Sequence, residues 1–204
     1  MSLWLERLSK HHEGKGNQPR ADLFAALAAE ERASKTPETF SDVLVLPEGV
    51  RQLPDLTIGG VNEKELEKRL NKEGHRAGDW AMDLLRSKDF TTLSKPKTIP
   101  LIDAPLSAMG FTTMPTIDQI FQRADELKWD KVPAETGPHL RLAYTDQPLN
   151  EWLHMGMKSI TDRDGDPRVF DVARRGDGSW LRAAWVRPTD QWNLENRIVF
   201  SPRK

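Results

Sequence analysis

From Pro138 to the end of the chain, side-chain polarity alternates with a period of two. Five short runs carry the alternation: HLRLAY from His139, EWLHMGMKSI from Glu151, RVFDVA from Arg168, SWLRAAWV from Ser179 and NRIVF from Asn196. A strand sends successive side chains to opposite faces, so this period specifies half-buried strands. Between the runs stand TDQPLN, TDRDGDP, RRGDG and RPTDQWNLE, built from the residues that turns favour. Consecutive strands joined by short connections fold most simply as an antiparallel meander, and a meander must bury one face. The cover is sought just before it, where Thr116 is an N-cap candidate with Gln119 at the capping-box position. Ile117, Ile120, Phe121, Ala124 and Leu127 follow at helical spacing as far as Trp129. The expected class is α+β: N-terminal helices, then a C-terminal antiparallel β-meander of about five strands within 138–201, packed against a helix at about 116–129.

The first half reads differently. Pro19 opens a stretch of strong helix formers, ADLFAALAAEERA, with Leu23, Phe24 and Leu27 on one face. Ser34 to Gly60 holds Pro37, Pro47, Pro54, Gly49, Gly59 and Gly60, the composition of a linker, with Asp42–Leu46 as an edge strand. Helix resumes at Asn62, with Glu65 three residues on and Leu66 and Leu70 inward. A second helix is expected over Asp79–Arg86, with Trp80, Leu84 and Leu85 inward. Residues 1–60 are therefore read as a helical segment and linker, and 61–204 as the α+β domain.

Composition removes several classes of function. There is no cysteine, which excludes disulfides, thiolate nucleophiles and Cys-ligated metals. Thirty basic and 31 acidic side chains give a net charge of −1, which argues against general electrostatic binding of nucleic acid. No apolar run is long enough to span a membrane, and the charged N-terminus lacks a secretory core, so a cytoplasmic protein is expected. P-loop, GxGxxG, GxSxG and HExxH patterns are all missing, and no cofactor or metal is expected.

Two motifs invite a functional reading. With Asp162 as the first position of a calcium loop, Asp164 and Asp166 follow in place, but Pro167 stands where glycine is needed and Ala173 where a bidentate Glu is needed. Arg175-Gly176-Asp177 lies in a glycine-rich separator between two strand runs. Both are read as turns.

Strand alternation supplies a better candidate. Trp152, His154, Gly156 and Lys158 point one way on their run, against Leu153, Met155 and Met157. His139 and Arg141 oppose Leu140 and Leu142, and Arg182 shares a face with Trp180. If the core takes the Leu and Met side, the other face gathers His139, Arg141, Trp152, His154, Lys158 and Arg182. Imidazoles, cations and indoles on one face suit a small anionic or aromatic ligand, or a protein partner, with Gly156 letting a ligand approach the backbone. The bland alternative is a polar sheet face left in water. Five of the seven tryptophans lie between 129 and 192.

The block PAETGPHLRL from Pro133, continuing through DQPLNEWLHMGMKSITDRDGDPRVF to FSPRK, resembles a group of small uncharacterised bacterial proteins. The resemblance spans about residues 100–204 and implies that this part folds as a unit; it brings no activity, cofactor or site residue. The expectation is a non-catalytic ligand- or protein-binding module. A small hydrolase or transferase using Glu135, His139 and His154 is the alternative. Nucleic-acid binding through Arg163, Arg168, Arg174, Arg175, Arg182, Arg187, Arg197, Arg203 and Lys204 is a weaker one.

Overall fold

The computed structural model describes residues 46–203. The chain divides into two units, residues 1–45 and 46–204, and the described residues belong to the second. The helix expected behind Pro19 and the strand Asp42–Leu46 up to Val45 lie outside the described residues.

The described residues form an α+β fold with four α-helices and nine strands. Seven strands make the main path of one mixed sheet, in the order β1 (Arg51–Ile58), β3 (Lys97–Pro105), β9 (Arg197–Pro202), β5 (Trp152–Met155), β7 (Pro167–Arg175), β8 (Gly178–Trp185) and β2 (Arg76–Ala77). β4 (Trp129–Asp130) pairs with the end of β9, and β6 (Ile160–Thr161) with the start of β7. Antiparallel pairing holds throughout except at β9–β5 and β8–β2, which are parallel.

The five-strand antiparallel meander is thus corrected to a larger, mixed sheet. Only β5 to β8 keep the expected sequential order. After β8 the chain folds back instead of turning into a neighbour. Trp192 N–H donates to Pro115 O, Ser107 N–H to Leu194 O and Leu106 N–H to Asn196 O, and this return path inserts β9 between β3 and β5. Ile198, Val199 and Phe200 are all buried, the continuous apolar run of a strand covered on both faces. β1 falls where a linker was expected. Its Pro54 sits at a register shift between Leu53 and Leu56 on an edge strand, where a missing N–H is tolerated. The strands and helices before residue 100 share one core with the rest.

Helix α1 (Glu63–Lys72) begins as expected, the Asn62 side chain accepting from Glu65 N–H at 3.0 Å, with Leu66 and Leu70 buried. α2 (Asp79–Arg86) buries Ala81, Leu84 and Leu85. α3 (Ile117–Glu126) carries the Thr116–Gln119 capping box. It packs on β4 and on the 3-10 turn Leu106–Met109, so it is not the cover of the sheet. That cover is α4 (Thr136–Ala143) together with α2, which lie against β1, β7 and β8.

α4 contains HLRLA, the first expected strand. Four or five residues of alternation fit either period. Leu, Arg and Ala favour helix, and Pro138 falls in the first turn, where no N–H is needed. Its approach to the sheet is close: a Cβ on Gly137 would meet Phe170 Cβ at 2.7 Å.

Candidate functional site

The register of β5, β7 and β8 builds one polar row. His154 lies opposite Asp171, and Asp171 opposite Arg182. The adjacent row is Trp152, Ala173 and Trp180. Paired residues of neighbouring strands share a face, and this face is the opposite of the Phe170 face on which α4 packs. The return segment after β8 roofs the row. The Trp192 ring meets His154 edge-on at 5.0 Å between centroids, and Asn196 Nδ2 lies 3.1 Å from His154 Nε2. Between roof and sheet is a cleft of about 800 Å³, whose lining includes Trp152, His154, Asp171, Arg182, Trp192 and Asn196.

Arg182 lies over the tryptophan row, its guanidinium 5.0 Å from the Trp152 ring and 6.0 Å from the Trp180 ring. Among the described residues it has no carboxylate within ion-pair distance. A second stack forms the rim. Arg168 lies 4.1 Å over Trp80 and 4.6 Å over Trp185, and Arg187 lies 5.0 Å from Trp185. Here the cations are neutralised, Arg168 by Asp162 and Arg187 by Asp166 at 3.0 Å.

Three buried side-chain atoms of residues that line this cleft have no hydrogen-bond partner among the described residues: His154 Nδ1, Asp171 Oδ1 and Trp192 Nε1. Their residues are 8, 3 and 7 % exposed, so bulk water does not compensate them, and such orphans are uncommon in folded proteins. Burial pushes the Asp171 carboxyl up to about 7, against the opposing pull of Arg182. Burial holds the His154 imidazole down at about 4. His154 is therefore neutral near pH 7 while Asp171 is close to the midpoint of its titration, and at 3.9 Å between Nδ1 and Oδ2 the two are too distant for a direct hydrogen bond.

Of the six candidate residues, the structure brings Trp152, His154 and Arg182 together. His139 and Arg141 are corrected from strand to helix α4, and lie on the other side of the sheet. His139 Nε2 accepts from Gly59 N–H at 3.3 Å and stands 3.6 Å from Glu135 Oε2. Glu135 Oε1 in turn accepts from Leu93 N–H at 2.8 Å, so this pair ties α4 to two loops. Because the sheet intervenes, Glu135 and His139 do not join His154. Arg141 is fully buried and is held by Gln147 Oε1 at 2.6 Å, Ala173 O at 3.3 Å and Tyr144 O. Lys158 is exposed between β5 and β6. Gly156 admits no ligand; a Cβ there would lie 2.4 Å from Phe200 Cε1, so the close approach belongs to the core.

Asp171, Trp192 and Asn196 were not singled out by sequence reasoning, and Trp80 was expected inward on its helix but is only half-buried and lines the cleft. Asp171 does leave a trace, as the one charged residue inside the apolar run Val169–Ala173. The others reach the cleft through folding back that no local pattern encodes.

The DRDGD segment is the expected turn. Asp162 Oδ1 accepts from Asp164 N–H and Asp166 N–H, both at 2.9 Å, and its other oxygen binds Arg168. RGD forms the tight connection between β7 and β8, with Arg175 paired to Gly178. Among the described residues no three His, Asp or Glu side chains are grouped to hold a metal ion, and no helix is long and apolar enough to cross a membrane. No protein-family model, curated protein or solved structure matches the chain.

Proposed function

We propose that this protein is a ligand-binding module whose small ligand enters the cleft between β5, β7, β8 and the Trp192 segment. The observation that carries this reading is the set of buried, unpartnered polar atoms on His154, Asp171 and Trp192 around one open volume. Indole walls with unsatisfied polar groups between them suit a small molecule that is both flat and polar. A catalytic role for Glu135, His139 and His154 together has no geometric support, since they lie on opposite faces. Nucleic-acid binding is weakened because Arg168, Arg187, Arg197 and Arg203 are each held by an aspartate.

A protein partner has one feature in its favour: Trp185 is 50 % exposed beside Arg187, and Trp and Arg dominate the energetic centres of interfaces. The test is a metabolite panel titrated against ¹⁵N-tryptophan-labelled protein. A ligand should move the Trp152 and Trp192 indole resonances first. Perturbation confined to Trp185 by a protein partner, with the interior resonances unmoved, transfers the reading to the rim.

A further inference from the structure

The groups that line the cleft are unbalanced in a way that specifies its occupant. Trp192 Nε1–H can only donate. Asn196 presents its amide nitrogen to His154 Nε2, so that ring nitrogen accepts and Nδ1 carries the hydrogen, a second donor without a partner. Arg182 offers a third set of N–H groups with no carboxylate among the described residues to receive them, although Asp171 is its cross-strand neighbour. The remaining charged groups around the cleft are already committed. Arg168 on β7 is held by Asp162 and Arg187 by Asp166, while Asp190 accepts from Arg187 N–H. α2 contributes only the Trp80 ring to the lining.

Resting on the ligand-binding reading, we propose that the cleft is an oxyanion site. It takes a small planar molecule bearing a carboxylate or phosphate, with Arg182, His154 Nδ1–H and Trp192 Nε1–H as donors and the protonated Asp171 carboxyl as a fourth. The indoles of Trp152 and Trp192 supply flat walls for the ring. Asp171 is the conditional member. With a proton it donates to the anion; without one it repels it. Since the carboxyl is pushed up to about 7 by burial, anion and proton bind together, and each assists the other.

The experiment titrates the full chain with benzoate, inorganic phosphate, benzamide and benzamidinium, following the Trp192 indole N–H and the heat in two buffers of different ionisation enthalpy. Benzoate, which stays ionised throughout, gives the pH profile; comparison with phosphate tells which oxyanion fits. Expected are saturable benzoate or phosphate binding at pH 6, uptake of protons on binding near neutral pH, and benzoate affinity falling about tenfold per pH unit above the Asp171 range. Arg182→Met should weaken binding at least roughly tenfold. Asp171→Asn, checked for fold by circular dichroism, should retain binding and flatten the profile. The wild-type profile is decisive by itself if that variant does not fold. Benzamidinium binding with proton release, or oxyanion affinity flat from pH 6 to pH 9, overturns the inference. If neutral or cationic ligands alone move Trp192, the oxyanion assignment falls and the ligand site stands. If no ligand of any charge moves it, both fall.

Discussion

Asp171→Asn is the substitution that tests the electrostatics of the cleft without any ligand. The carboxyl is 3 % exposed and shares its row with a neutral His154 and with an Arg182 drawn toward indoles. Its value rises from about 3.8 in a solvated chain to about 7 here, chiefly through burial. A raised carboxyl contributes stability that is complete below the unfolded value and is lost as pH climbs through the folded one. Between pH 5 and pH 8 the linkage amounts to roughly 2 to 3 kcal/mol, at 1.36 kcal/mol per pKa unit. The asparagine amide does not ionise, so the variant escapes this loss. Whatever the amide costs by leaving its own N–H unsatisfied is the same at both pH values and cancels, as do the other titrating groups. Urea unfolding of both proteins at pH 5 and pH 8 should therefore show the variant gaining on the wild type by that amount as pH rises. Equal stability differences at the two pH values, within about 0.5 kcal/mol, would show that Asp171 ionises freely and that the cleft is better solvated than its geometry indicates.

Three further outcomes follow from the packing. Gly156→Ala drives a methyl into Phe200 and the Val199 carbonyl, and should cost about 3 kcal/mol in a urea titration. Glu135→Ala removes the carboxylate that accepts from Leu93 N–H at 2.8 Å; a loss of about 1–3 kcal/mol is expected for a hydrogen bond to a charged group, with the Trp192 resonance unmoved because the sheet separates the two. Asp103 is fully buried and serves both Arg51 and Arg197. Asp103→Asn leaves Arg197 without its counter-charge and Arg51 with Glu151 alone, and should cost about 2 kcal/mol by thermal unfolding, reduced from the fully buried case because Arg51 is partly in water.

Local signals in this sequence were legible wherever a short-range interaction decides the structure. The Asn62 and Thr116 caps, the DRDGD turn and the RRGDG hairpin each depend on residues within a few positions of one another, and each was read directly. The HLRLA segment was not legible, because five residues satisfy both periods and the choice is made by Gly137 fitting against Phe170, more than thirty positions away. β1 was hidden by Pro54, a residue that argues against a strand unless the strand is an edge with a register shift. The site was half legible for the same reason. Trp152, His154 and Arg182 follow from alternation within β5 and β8. The partners that give them chemical meaning, Asp171 across the ladder and Trp192 and Asn196 from the roof, depend on register and on the return path.

The position of β9 bears on how this protein is made. It is the last strand among the described residues, yet it lies between β3 and β5. Until it arrives, those two strands present facing rows of unsatisfied amides and carbonyls across a slot one strand wide. A nascent or refolding molecule waits in that state with a vacancy that any RIVF segment can fill, including one from a neighbouring copy. Refolding yield should accordingly fall with protein concentration, through exchange of C-terminal strands between molecules.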